Sequence, residues 1–236
     1  MPEVTVAASP AAGFTRADLI RHVSGKIGAA TPVGRVQPDA HSGPRPVTGP
    51  AGDWPAEPIR EGKYARIERE RRFLLAGLPP AAAIAARRHI TDRYLPGTRL
   101  RLRRIDYLDS GDCEFKLTQK VPAGRPGYIQ GLITNTYLSA AEYDLLASLP
   151  AAVLSKTRLS VPPLGVDVFE PPLHGLVMAD VEFSADEEAQ SFLPPPAAVA
   201  EVTDDTRFTG GSLVSARRHD LLAWLAEYGI ELQQTE

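Results

Sequence analysis

A single cysteine, Cys113, stands among 236 residues. No disulfide can close within the chain, and no cysteine-based zinc site can be built. This suits a reducing compartment, and the cytoplasm is the expected location. No apolar run reaches the ~18 residues that a membrane span needs. The first residues lack a positive stretch followed by an apolar one, so no secretory signal is expected. An excess of charge of one sign is missing too. Lys and Arg number 26 against 29 Asp and Glu, a net charge of -3. A general nucleic-acid binder needs surplus Lys and Arg, so that class is not expected. The five histidines, at 22, 41, 89, 174 and 219, include no i, i+4 pair that would suggest a metal motif. Gly210-Gly211-Ser212 lacks the lysine of a phosphate-binding loop and reads as a turn.

What is present divides the chain in two. Residues 1–60 carry seven prolines between Pro32 and Pro58, and their aromatics are Phe14 and Trp54. Such a segment buries too little apolar surface to offset its ordering entropy, so it is expected to be mostly disordered. One short helix is expected from Thr15, where Thr15 and Asp18 have capping-box spacing. From Lys63 the pattern becomes strand-like. Strands are expected at Ala65–Leu75, Thr98–Tyr107, Glu114–Val121, Tyr128–Leu138, Val153–Val161, Gly165–Phe169 and Leu176–Phe183, with a last sheet segment beginning over Ala200–Phe208. Gly111 marks a hairpin turn at Asp109–Asp112. Helices are expected within Pro79–Tyr94, after a Ser139/Glu142 capping box, after Ser184/Glu187, and over Ser212–Tyr228. The expected organisation is therefore a tail over 1–60, a domain over 61–213 and a C-terminal helix within 214–236 packed on it. Many antiparallel strands with few short helices give an α+β fold on a sheet or barrel, and closure would remove exposed edges.

Alternate residues of a strand share a face. Glu68, Glu70 and Arg72 therefore point one way. So do Arg99, Arg101 and Arg103; Lys116, Thr118 and Lys120; Lys156 and Arg158; Asp180 and Glu182; Glu201 and Thr203. On any one strand this is an ordinary solvated face. Recurrence on six strands, with acids and bases segregated by strand, favours a shared interior. There each like-charged pair ~4 Å apart costs about 4 kcal/mol at an effective dielectric of 20. Such an interior needs an anion for its bases and a cation for its acids. A metal–polyphosphate complex supplies both.

These residues resemble a known family. Ile67–Leu74 (IERERRFL) resembles the ExExK opening of CYTH domains, the triphosphate tunnel metalloenzymes. Ile90–Leu95 (ITDRYL), Arg101 and Arg103 (RxR), Leu117–Lys120 (LTQK), Lys156–Arg158 (KTR), Asp167–Phe169 (DVF), Gly175–Phe183 and Glu201–Phe208 (EVTDDTRF) follow in the family's order. The resemblance covers about Lys63 to Leu213. It implies an eight-stranded antiparallel β-barrel, or tunnel, with flanking helices. It also implies dependence on Mg²⁺ or Mn²⁺ and a small-molecule triphosphate or polyphosphate as substrate. By resemblance, Glu68, Glu70, Asp180, Glu182 and Glu201 are the metal-side acids. Arg72, Arg101, Arg103, Lys120, Lys156, Arg158 and Arg207 grip phosphate. Carboxylates suit hard divalent cations, and Arg offers phosphate a planar fork.

The chain departs from the pattern three times. Arg72 replaces the signature lysine, Asp180 replaces a glutamate, and Gly131–Asn135 carries none of the acids usual on the fourth strand. The expected function is hydrolysis of a triphosphate's phosphoanhydride bond. The alternatives are a non-catalytic polyphosphate- or nucleotide-binding module and a class IV-like adenylyl cyclase.

Overall fold

Alternation of charged and apolar residues builds nine strands, seen in a computed structural model that describes residues 62–232. They are β1 (Arg66–Leu75), β2 (Ala86–Tyr94), β3 (Leu100–Tyr107), β4 (Cys113–Pro122), β5 (Ile129–Leu138), β6 (Ala152–Val161), β7 (Leu164–Phe169), β8 (Val177–Glu182) and β9 (Ala198–Glu201). Hydrogen bonding runs β5-β4-β3-β2-β6-β7-β8-β1, and β5 pairs again with β1. Eight antiparallel strands thus close into a barrel. The expectations for 1–60, including the helix from Thr15, lie outside the described residues.

β1 is the seam of the closure. One edge pairs with β8 from Glu70 to Leu74. The other pairs with β5 from Arg66 to Arg69, then with β9 from Phe73 to Leu75. The register slips between Glu68 and Arg69, where β5 carries an extra residue. Gly131 sits beside this bulge with φ 138°, and a Cβ there would collide with the Val121 carbonyl oxygen. Glycine alone tolerates both the angle and the close backbone approach.

Two apolar cores result. Phe73, Leu75, Leu159, Val166, Val177, Ala179 and Val181 pack on the outer face, under Ile84, Phe183 and Phe192. Helix α1 (Ala140–Ala147) also lies outside, against β3, β4 and β5. Ser139 and Glu142 form its capping box, as the sequence predicts. The second core lies at one end of the barrel. Leu74, Leu154, Phe169 and Met178 meet Val202, Phe208, Leu213, Leu221 and Leu225 of the C-terminal segment. Each fully buried Leu or Phe of this kind contributes about 1.5–3 kcal/mol relative to exposure.

Several local expectations are corrected. Pro79–Tyr94 is not helical: a 3-10 turn at Ala81–Ala83 leads into β2. β2 is hydrogen-bonded by β3 on one edge and β6 on the other, and that pairing overrides the helix preference of alanine. The helix after Ser184, α2 (Asp186–Ser191), has Ala185 at its N-cap position with no side-chain cap, and the Ser184 N–H donates to Glu188 Oε2 (3.0 Å). The last strand ends at Glu201, and Thr206–Phe208 forms a 3-10 turn whose Asp205 carboxylate accepts from the Arg207 N–H. The single C-terminal helix is two, α3 (Gly210–Leu213) and α4 (Arg218–Glu227). Asp220 accepts from the Arg217 N–H at 3.0 Å, which starts a new helix there.

Candidate active site in the barrel lumen

Residues paired directly across antiparallel strands share a face. The register therefore fixes what the lumen contains. Arg72 pairs with Asp180 and Glu70 with Glu182. Asp92 pairs with Arg103, Arg103 with Lys116, Arg101 with Thr118, and Arg158 with Asp167. Ten of the twelve candidate residues thus stand on inward-facing positions: Glu68, Glu70, Arg72, Arg101, Arg103, Lys120, Lys156, Arg158, Asp180 and Glu182.

The basic residues are held by acids that they flank. Asp92, 1% exposed, accepts from Arg103 Nε and Nη2 at 2.6 Å each, and Arg101 Nε lies 3.4 Å away. Burial alone would push this carboxyl up. The charges of Arg103 and Arg101 outweigh burial and hold it well below the usual carboxylate range. Asp167, 4% exposed, is bracketed by Lys156 and by Arg158, whose Nε donates at 2.8 Å. Its carboxyl is likewise lowered, burial being outweighed by the two cations. Arg158 reaches on to Asp180. Gly165 faces this bridge: a Cβ there would stand 3.0 Å from the Arg158 guanidinium carbon and 3.1 Å from Asp180 Oδ1. Lys120 pairs with Glu68 at 2.6 Å. Burial and the neighbouring Arg103 push the Lys116 ammonium down.

Some polar capacity in the lumen is unspent. The buried Nε of Arg72 has no hydrogen-bond partner, and that of Arg101 makes only its 3.4 Å ion-pair contact with Asp92. Arg72 otherwise donates to the Thr203 carbonyl at 2.7 Å. Unfilled buried donors on cations favour an anionic acceptor. At the mouth opposite the C-terminal segment, a cleft of about 290 Å³ is lined by Arg88, Arg158, Ser160, Pro162, Pro163, Leu164, Gly165, Asp180 and Glu182.

Two expected members stand elsewhere. Glu201 pairs with Phe73 in the register, which puts it on the outer face. There Arg71 donates to both of its oxygens, at 2.8 and 2.6 Å, and lowers its carboxyl. Arg207 binds Asp205 (2.7 Å) and Glu227 (2.8 Å) and lies over the Trp224 ring. It fastens α4 to the chain that leaves β9.

For a divalent cation, the donor set is partial. Among the described residues no three Asp, Glu, His or Cys side chains converge as a ready-made cage. Glu68 and Asp180 are engaged by bases, and Glu70 and Glu182 face each other. Two carboxylates suit Mg²⁺ or Mn²⁺ when water and phosphate oxygens complete the shell, the usual habit of Mg²⁺. On β5, Asn135 stands on the inward face and accepts from the Thr118 hydroxyl at 2.7 Å.

Sequence reasoning overlooked Asp92 and Asp167 as site residues, although both lie in recognised blocks. It missed Arg88 because that stretch was expected to be helical.

A closed eight-stranded antiparallel barrel carries these charged blocks on its inner wall, the α+β tunnel architecture that the resemblance to CYTH domains implies. No family model matches the chain, and no curated protein does. Among solved structures it is similar to the hypothetical protein NE1496, with 27% identity, 64% of this chain and 99% of that one covered, and a TM-score of 0.43. A structure of the inorganic triphosphatase NE1496 gives 25% identity, 64% and 96% coverage, and a TM-score of 0.43. PH1819 from Pyrococcus horikoshii OT3 gives 15% identity, 72% and 94% coverage, and a TM-score of 0.38. What defines the fold is the barrel's own closure and register. Among the described residues no helix is long and apolar enough to cross a membrane.

Proposed function

We propose that this chain is a metal-dependent triphosphate hydrolase that cleaves a phosphoanhydride bond inside the barrel. The observation that carries the reading is one lumen with two opposed linings. Arg101, Arg103, Lys156 and Arg158 stand in two acid-braced pairs on β3 and β6. Glu70 and Glu182 face each other on β1 and β8. The paired bases orient a polyphosphate chain, and the buried Nε of Arg72 gives it a further donor. Arg72 replaces the signature lysine and supplies a fork rather than a point charge. Glu70 and Glu182 would hold the cation, with Asp180 beside them. When bound, such a cation neutralises charge on phosphate oxygens and lowers the pKa of a water ligand. The barrel wall keeps bulk water from the phosphates, which strengthens every charge–charge contact within.

Inorganic triphosphate is the preferred substrate. The residues lining the cleft at the mouth include no aromatic ring on which a base would stack. A second reading, binding without turnover, draws on Asn135 standing where the family places acids. The test is a screen of inorganic triphosphate, thiamine triphosphate and ATP with Mg²⁺ or Mn²⁺, measuring phosphate, diphosphate and cyclic nucleotide together. Metal-dependent phosphate release from inorganic triphosphate is expected. Tight binding with no product would favour the second reading. Cyclic nucleotide with diphosphate would mean a cyclase.

A further inference from the structure

We propose that Asp167 is a positioning residue of the anion site, whose carboxylate sets Lys156 and Arg158 side by side to face one phosphate group. The proposal rests on the reading of the lumen as a triphosphate site.

The geometry is specific. Asp167 is paired with Arg158 in the β6–β7 register. Arg158 donates to it from Nε at 2.8 Å and from Nη2 at 3.2 Å, and Lys156 Nζ contacts Oδ2. One carboxylate therefore anchors two cations that are two residues apart on β6. Both are mostly buried, with side chains 12% and 19% exposed. A free lysine would spend rotamer entropy on each ligand it met, whereas an anchored one has already lost it.

Anchoring has a second effect, on charge. Lys156 faces Asp167 from β7, Arg158 from its own strand, Arg103 from β3 and Asp92 from β2, with the Phe169 ring 5.4 Å away. Burial pushes its ammonium below the ordinary lysine value. Asp167 is the largest opposing influence, ahead of the two arginines that add to the depression. Without the Asp167 charge, Lys156 would lose its proton at a lower pH, and with it a phosphate-binding cation. A merely structural aspartate would have no such signature.

The experiment is calorimetric binding of inorganic triphosphate to the full chain near pH 7 and near pH 9. Wild type is compared with Asp167→Asn, Asp167→Glu and Lys156→Gln. The ratio of variant to wild-type affinity at each pH cancels the ligand's own titration. For Asp167→Asn the ratio should fall several-fold between the two pH values, because Lys156 has then lost the neighbour that most favours its charged form. Asp167→Glu should keep the ratio nearly flat. A constant ratio for Asp167→Asn overturns the proposal. If that variant does not fold, Lys156→Gln decides. Its deficit should persist near pH 9, because Asp167 opposes the loss of the Lys156 proton in the wild type. A deficit that vanishes near pH 9 overturns the proposal. If wild type binds no triphosphate at either pH, the functional reading falls and the proposal with it.

Discussion

Glu70 and Glu182 stand directly opposite each other on β1 and β8, two carboxylates sharing one inward face. Directly opposed residues hold their Cβ atoms about 4.5–5.5 Å apart, and like charges there are destabilising. On the proposed metal reading, this repulsion destabilises the cation-free barrel and a bound cation would relieve it. Glu70→Gln should therefore raise the melting temperature in chelator. In millimolar Mn²⁺ it should abolish most of the wild type's stabilisation. Calorimetry with Mn²⁺ should show weakened binding. An unchanged Mn²⁺ response in this variant would remove the pair from the metal site.

The buried Arg103–Asp92 pair makes a different prediction. Removing one member strands the other in a water-poor interior, at a cost of about 3–5 kcal/mol. Arg103→Ala should lose that much stability in urea. Replacing both residues, as Asp92→Asn with Arg103→Met, should lose far less. The pH dependence has a definite sign. Asp92 has its carboxyl held below its unfolded value, so its contribution is fully present above that unfolded value, near pH 4. It is lost as the pH falls further. Wild-type stability should drop steeply in this acid range, and the Asp92→Asn, Arg103→Met protein should drop less.

Arg207 separates two roles. Its bonds to Asp205 and Glu227 make it a fastener of α4. Arg207→Ala should increase amide exchange across Arg218–Glu227 and leave triphosphate affinity within about twofold. Arg101→Ala should weaken triphosphate binding by roughly 10- to 150-fold, the equivalent of 1.5–3 kcal/mol for a charge-assisted bond. Equal losses of affinity in the two variants would return Arg207 to the phosphate site.

The inner wall was legible because its signal has period two. Glu68, Glu70 and Arg72, or Arg101 and Arg103, announce a shared face without any knowledge of their neighbours. Which charge meets which was not legible, because that depends on register between strands. Asp92 finds Arg103, and Asp167 finds Lys156 and Arg158, only once β2–β3 and β6–β7 are aligned. Glu201 shows the same limit. It lies in the most recognisable block of the chain, yet pairing with Phe73 rather than Arg72 puts it outside, against Arg71. β2 escaped notice because its alanines and preceding prolines resemble a helix start, and only two flanking strands make it a strand.

The seam at β1 also bears on how the chain folds. Among the described strands β1 is the first to leave the ribosome, yet its edges are taken by β5, β8 and β9. Its contacts with the β9 segment span about 130 residues. Contacts this distant are slow to form, since loop closure must precede any reward. The nascent chain must carry β1 with open hydrogen-bonding edges until β8 and β9 are made. That is a long interval of exposure to wrong partners.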